Sequence, residues 1–246
     1  AARLPSDAAT RTVCMLDADG RAPGVPWASA AKRIVTVWQR DGDHFVADAA
    51  DLSITPGANM IGEPRDTVSA DAATLSGTPV TAELVTQLKL KAALLRAIQI
   101  CAALDRALEL SIEHASAREQ FGRPLSKFQA IQHLISDIAC EAALARSATE
   151  AALSAAVTGD WSTDNLEFLV ASARSCAGHA ASVVVRNAHQ VHGAIGTTSE
   201  HRLHEFTRAA LAWRSEFGST GYWDDRLTDI ARSAGGGKLW SLITGR

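Results

Sequence analysis

The segment that decides the fold is AREQFGRPLSKFQ, residues 117–129. It joins two long stretches with helical periodicity, and its glycine and proline are typical of the end of a helix. An arginine binds phosphate oxygens through two parallel hydrogen bonds, and an aromatic ring stacks on a nucleobase. The segment therefore either binds a phosphate-bearing cofactor or forms a capped helix–helix corner. In the second case Arg118 pairs with Glu119 or a nearby helix carboxylate, and Phe121 fills the corner.

Apolar residues recur every three or four positions on both sides of this segment, which predicts long helices. The first helix runs from an N-cap at Thr81 to about Glu119. Ser126 and Gln129 have the spacing of a capping box at the start of the second helix, which ends near Gly159. A later run of three glycines marks a flexible tail, after three more helices predicted at residues 166–191, 199–215 and 223–232.

The part of the chain before these helices has the composition of strands and turns. Two β-branched runs, residues 33–39 and 44–47, flank an Asp-Gly-Asp turn and predict a hairpin. Further short strands are predicted at residues 12–16 and from Thr67. These strands are too few to close a sheet alone, so we expect the β part to be incomplete or to lean on another element.

The predicted fold class is mainly α with a β part. A partial β domain at residues 1–77 precedes an antiparallel four- or five-helix bundle at residues 78–246. A hydrophobic content of 47% in 246 residues supports one or two domains with a full core. A net charge of −3 argues against a nucleic-acid partner.

The cysteines and the apolar runs indicate in which cellular compartment the protein is expected. The four cysteines lie far apart without CxxC spacing, which is typical of reduced thiols rather than of a thiolate metal site. The richest apolar run, residues 92–104, is too short to span a bilayer. We therefore expect a soluble cytoplasmic protein that binds neither membrane nor nucleic acid.

A second candidate motif is QVHGAIG, residues 190–196. Glycines after a helix let a ligand approach exposed backbone groups, although an ordinary glycine C-cap has the same pattern. Four nearby histidines raise the question of a metal: His189, His192, His201 and His204. Because no Asp or Cys completes a set of ligands, we expect no metal site.

Together these segments resemble the C-terminal helical domain of the acyl-CoA dehydrogenases. The resemblance extends over residues 80 to about 232, and residues 12–70 resemble more weakly the later part of that family's middle β domain. The nearest branch is the actinobacterial one, whose members often act as two different subunits on coenzyme A thioesters of sterol breakdown products. The matching motifs are REQFGRPL (118–125), FQAIQ (128–132), QVHGAIG (190–196) and EHRLH with RAA (200–204, 208–210).

The resemblance implies FAD shared across a subunit interface. In the family the arginine of the helical domain meets the pyrophosphate of the neighbouring subunit's flavin, and the adjacent Gln-Phe meets its adenosine end. Ala194 stands where the family usually has a second glycine, and Arg174 where it commonly has a lysine. Gln129 has a competing role in the predicted capping box. Carried onto this sequence, the cofactor-binding residues are Arg118, Gln120, Phe121, Gln129, Gln190, Val191, His192, Gly193 and Ala194.

The family's catalytic glutamate has no counterpart at either of its two usual positions. The family reaction removes the α-proton of an acyl-CoA while a hydride passes to the flavin, and so weak an acid requires a positioned base. The resemblance places that base at Ala92 or at Phe217, and neither side chain takes a proton. Glu216 is the nearest carboxylate, but one helical step turns it by about 100°. We therefore predict no catalytic residue in this chain, with Glu216 as the weak candidate.

These expectations favour a subunit of a heteromeric FAD-dependent acyl-CoA dehydrogenase. This chain supplies the ADP side of the FAD site, and its partner supplies the glutamate and the pocket for the flavin ring. The resemblance also implies a homologous partner in an α2β2 assembly, an acyl-CoA substrate and an electron-transfer flavoprotein as acceptor. Two alternatives stay open: a self-sufficient dehydrogenase with further residues upstream that uses Glu216, and a non-catalytic helical assembly protein.

Overall fold

The computed structural model describes residues 7–49 and 52–244 and divides the chain into two compact units. The first unit ends at Lys89 and the second begins at Leu90. The domain division at residue 77 stays a prediction.

In the first unit, two small β-sheets share one apolar core. The core residues include Cys14, Ile34 and Trp38 from one sheet and Val25 and Val68 from the other. The three-stranded antiparallel sheet has the order β2-β6-β5, formed by β2 (Arg21–Pro26), β6 (Arg65–Ser69) and β5 (Ser53–Thr55). The four-stranded sheet has the order β1-β3-β4-β7, formed by β1 (Arg11–Met15), β3 (Arg33–Arg40), β4 (Asp43–Ala49) and β7 (Thr78–Val80), with only the β1–β3 pair parallel.

The predicted hairpin is confirmed as β3 and β4. Asp41 and Gly42 form its two-residue turn with φ values of 53° and 90°, the left-handed backbone that Asp-Gly sequences favour. The sequence analysis missed β2, β5 and β7. Strand β2 has the sequence RAPGVP, whose prolines and glycine indicate a turn rather than a strand, and β7 also contains a proline.

The second unit is helical, its first helix beginning at Ala82 in the first unit, and the predicted mainly α fold with a β part is confirmed. The sequence analysis placed the start of the fourth helix at Ser199, but α4 begins at Leu203, and a 3-10 turn at residues 193–197 precedes it. It also predicted a flexible tail where a short sixth helix forms. The helices are α1 (Ala82–Ala117), α2 (Gln129–Thr158), α3 (Leu166–His192), α4 (Leu203–Trp213), α5 (Thr220–Ala234) and α6 (Leu239–Thr244).

Helices α2 and α3 pack closely because their facing side chains are small. Small residues allow two helix axes to approach at the short end of the usual range. In the described part of the chain, one helical stretch, Leu166–Thr197, is long and apolar enough to span a membrane, and it begins with α3. Half of its most apolar 18-residue window is buried inside the protein. The apolar character of α3 is thus in part that of a core helix. The fully buried alanines are Ala145, Ala152 and Ala156 on α2 and Ala173, Ala177, Ala180 and Ala181 on α3.

A buried arginine on α3 holds the turn that follows α4. Arg174 is 1% exposed, and its Nη2 lies 3.1, 2.9 and 2.8 Å from the carbonyl oxygens of Arg214, Glu216 and Gly218. Burial lowers the pKa of Arg174 to about 10, so the side chain stays protonated at neutral pH. The positive charge compensates carbonyl groups that have no partner inside the helix.

We predict that Arg174→Met lowers the free energy of unfolding by about 2–4 kcal/mol, because three carbonyl oxygens lose a charged donor. Urea denaturation followed by circular dichroism measures the change. Arg186→Met, at an exposed position on the same helix, is the matched control and should change stability by no more than about 0.5 kcal/mol. Equal losses in the two variants would contradict the role of Arg174.

Candidate functional site

The segment between α1 and α2 folds as a tight β-hairpin. Strands β8 (Glu119–Gln120) and β9 (Arg123–Pro124) pair around a two-residue turn. Its residues Phe121 and Gly122 have φ values of 53° and 77°, so both adopt the left-handed conformation of a type I′ turn. The Phe121 ring is 93% exposed at the tip, and the alternative in which it fills a corner is wrong.

The predicted capping box at the start of α2 is also wrong. The N-cap residue of α2 is Phe128, and no side chain caps that end. Ser126 lies in a 3-10 turn just before it. Gln129 is the exposed first residue of α2. The capping box required it at the third helical position, so its side chain does not have that role.

The hairpin and the C-terminal end of α3 meet at an open groove of about 720 Å³. Ile131, near the start of α2, also lines this groove, because α2 and α3 run antiparallel. Phe121 and Gln129 are not among the lining residues. Seven of the nine predicted cofactor-binding residues line the groove together: Arg118, Gln120, Gln190, Val191, His192, Gly193 and Ala194.

The groove carries positive charge without a compensating carboxylate. No Asp or Glu is among its lining residues in the described part of the chain. Across residues 7–49 and 52–244, no ion pair or side-chain hydrogen bond involves Arg118, so the pair with Glu119 or a helix carboxylate, the alternative to phosphate binding, is not formed. An unpaired guanidinium in a concave surface is an anion-binding arrangement.

Gly193 ends α3 with a backbone conformation that only glycine adopts readily. Its φ and ψ are 63° and −143°, and its N–H donates to the carbonyl of His189. A Cβ added at Gly193 would meet no atom within 4 Å, so the face of this residue is open. The glycine therefore acts as a helix cap and also leaves the backbone accessible to a ligand in the groove.

His114 also lines the groove, and the sequence analysis missed it. It lies on α1 four residues before Arg118, which directly follows the helix and whose N–H donates to the His114 carbonyl at 2.9 Å, so its closeness to the motif was a usable signal. Burial, aided by the charges of His201 and Arg118, lowers the pKa of His114. Burial lowers the pKa of His192 to about 4, and its hydrogen bond to Ala188 offsets this only in part. Both imidazoles are therefore neutral at pH 7.

The two positions that the resemblance gives for a catalytic glutamate are occupied by Ala92 and Phe217. Ala92 lies on α1, and Phe217 lies in the turn after α4 with a φ of 54°. Glu216 forms an ion pair with Arg96, with 2.5 Å between Oε2 and Nη2 and both side chains at most 15% exposed. Glu216 does not line the groove. Its carboxylate is engaged by an arginine inside the bundle.

Comparison with known proteins identifies the family. Residues 85–234 match the family model described as acyl-CoA dehydrogenase, C-terminal domain. Because the match covers more than half of the 246 residues, the chain belongs to the acyl-CoA dehydrogenase family. The resemblance drawn from the sequence motifs is confirmed.

Mycobacterial relatives share moderate identity with part of this chain. Acyl-CoA dehydrogenase FadE34 of Mycobacterium tuberculosis is 34% identical over 126 residues, which are 51% of this chain and 17% of FadE34. Acyl-CoA dehydrogenase IpdE2 of the same organism is 34% identical over 119 residues, which are 48% of this chain and 35% of IpdE2. The chain thus matches well under two thirds of the length of these relatives.

Solved structures share the fold at lower identity. The ChsE4-ChsE5 complex from Mycobacterium tuberculosis has a TM-score of 0.75 and 20% identity, covering 92% of this chain and 64% of the compared chain. The Tcur3481-Tcur3483 steroid ACAD G363A variant has a TM-score of 0.75 and 23% identity, covering 91% and 63%. At these identities the likeness establishes the fold of an acyl-CoA dehydrogenase.

We predict that Phe121→Asn raises the free energy of unfolding of the isolated chain by about 1 kcal/mol, because Asn tolerates a positive φ and a bulky Phe does not. Thermal or urea denaturation measures the difference. Asp41→Asn is the control, since that turn has the same backbone geometry and already carries a favoured residue. A loss of stability in Phe121→Asn would show that the ring's edge contact with Phe128, at 6.2 Å between centroids, outweighs the backbone strain.

Proposed function

We propose that this chain is a subunit of a heteromeric FAD-dependent acyl-CoA dehydrogenase and supplies the ADP side of a shared FAD site. The observation that carries the proposal is the unpaired Arg118 in a groove without carboxylates, beside the open backbone of Gly193. A pyrophosphate would supply the negative charge that the lining residues of this groove lack. Arg118 is the one lining residue whose guanidinium matches phosphate oxygens in pairs.

The groove residues fit the adenosine diphosphate half of FAD. Arg118 would hold the pyrophosphate, and Gln120 and Gln190 would offer amide groups to the ribose or the base. The bound flavin supplies the site that accepts a hydride from the acyl chain. The exposed Phe121 at the hairpin tip and the exposed Gln129 face solvent in the isolated chain, which suits contacts with a neighbouring subunit.

The proton-transfer group is assigned to the partner. Ala92 and Phe217 cannot act as a base, and Arg96 engages the carboxylate of Glu216. In this proposal the homologous partner contributes the glutamate to an α2β2 assembly. Two facts support a pair of different subunits: ChsE4-ChsE5 and Tcur3481-Tcur3483 are each named as two proteins, and both share this fold.

The proposed substrate class is drawn from the same neighbours. We assign a coenzyme A thioester of a sterol-derived acid as substrate, because one structural neighbour is described as a steroid ACAD. An electron-transfer flavoprotein is the proposed acceptor of the flavin's electrons, and the cytoplasm is the proposed compartment. These assignments rest on likeness to other proteins rather than on the groove itself.

The test is the FAD content of the chain alone and of its complex with the acyl-CoA dehydrogenase subunit that co-purifies from the native host. We predict that the complex binds FAD and that the isolated chain does not. Arg118→Ala in the complex should weaken FAD binding roughly 10- to 150-fold, because a charge-assisted phosphate contact contributes about 1.5–3 kcal/mol. Flavin fluorescence during FAD titration measures the affinity.

Arg123→Ala is the matched control. Arg123 belongs to the same hairpin, but its guanidinium lies over the Phe128 ring at 4.2 Å and does not line the groove. Unchanged FAD affinity in Arg118→Ala would contradict the proposal and favour a helical assembly protein. Flavin and dehydrogenase activity in the isolated chain would favour a self-sufficient enzyme, and loss of that activity in Glu216→Gln would then identify the base.

A further inference from the structure

Three imidazoles from separate parts of the helical unit meet beside the groove. His114 lies on α1, His192 is the last residue of α3, and His201 lies just before α4. The His192 ring centroid is 4.6 Å from each of the other two, and the His114 and His201 centroids are 6.1 Å apart. One ring nitrogen from each residue lies within 4.8 Å of the other two nitrogens.

His192 is oriented as a ligand. Its Nδ1–H donates to the carbonyl oxygen of Ala188 at 2.7 Å, which leaves the lone pair on Nε2. This Nε2 is buried and has no hydrogen-bond partner among the described residues, and the whole residue is only 5% exposed. Metal-binding histidines commonly donate their second nitrogen to a carbonyl in this way, because the bond selects the tautomer and fixes the ring.

We propose that His114, His192 and His201 form a binding site for a late first-row divalent metal ion, with Zn²⁺ as the preferred ion. Three imidazoles suit zinc, and three protein ligands leave a fourth tetrahedral position for water or a ligand. That position is next to the groove, which His114 and His192 line. Tetrahedral zinc with Zn–N bonds of about 2.0–2.1 Å requires ligand nitrogens roughly 3.4 Å apart, and the three nitrogens here lie within 4.8 Å of one another.

His201 is the weakest of the three ligands. Its Nδ1 accepts a hydrogen bond from the N–H of Leu203 at 3.2 Å, so its neutral form carries the proton on Nε2. Metal binding exchanges this long hydrogen bond for a bond to the ion. Substitution of His201 should therefore weaken zinc binding less than substitution of His192.

The other two histidines near the motif have different partners. His189 Nε2 lies 3.0 Å from Thr207 Oγ1, and His204 Nδ1 donates to the carbonyl of His201 at 2.8 Å. The four histidines that the sequence groups are therefore not the set that the fold brings together. The sequence analysis did not include His114 in that group, because α2 and nearly all of α3 separate it from His192 along the chain.

The experiment is isothermal titration of Zn²⁺ into the tag-free, chelator-treated chain, with Co²⁺ absorption as a second readout. We expect one zinc per chain and the strong visible bands of tetrahedral cobalt. His192→Ala and His114→Phe should each weaken zinc binding by at least about tenfold, the lower bound for disturbing a metal site. His114→Phe keeps a ring in this half-buried position, so it separates loss of a ligand from loss of folding.

His133→Ala is the control, because His133 is exposed on α2 and outside the cluster. Circular dichroism confirms that each variant is folded before titration. The proposal is overturned by the absence of stoichiometric zinc binding in the unsubstituted chain. It is also overturned by binding that is unchanged in folded His114→Phe. Both outcomes are independent of FAD, so they leave the proposed function untouched.

Discussion

The close packing of α2 against α3 is the constraint on which the groove depends. Alanines at the interface, among them Ala145 and Ala177, allow the two helix backbones to approach. Because the helices run antiparallel, the C-terminal end of α3 lies beside the start of α2 and the hairpin that precedes it. A larger side chain at these alanines would force the helices apart, since overpacked cores shift the backbone. The residues that line the groove would then no longer lie side by side.

Two residues of the segment between α1 and α2 cost stability in the isolated chain. Phe121 holds a left-handed backbone conformation that bulky residues avoid, and its ring is in solvent. Arg118 has no ion-pair partner in the described structure. Local features that conflict with a stable fold are typical of functional sites, where binding offsets their cost. The hairpin is therefore better understood as a contact surface than as a helix–helix connection.

Sequence periodicity was sufficient to predict the long helices. The stripe of apolar residues in α1, α2 and α3 repeats over many turns, and tertiary packing reinforces it. The Asp41-Gly42 turn was predictable because its residues match the required backbone. Strand β2 was not predictable, since its prolines and glycine indicate a turn and only pairing with β6 makes it a strand. The β8–β9 hairpin was too short to show any alternation.

The sequence motifs named residues that the fold brings to one groove, but they did not indicate the contacts around them. The family motifs supplied Arg118 and the residues that follow Gln190, and the fold places them at one groove. Partners from distant helices had no local signal: Arg96 engages Glu216, and His114 stacks on His192. Such contacts depend on how the helices cross, which periodicity alone does not determine.

The central claim is that Arg118 holds the pyrophosphate of a flavin shared with a partner subunit. The most direct measurement is the distance from the Arg118 guanidinium to the flavin phosphates in an experimental structure of the complex with FAD. The account predicts charge-assisted hydrogen bonds of about 2.7–2.9 Å. A complex in which FAD lies away from the groove, or in which Arg118 pairs with a carboxylate of the partner, would contradict it.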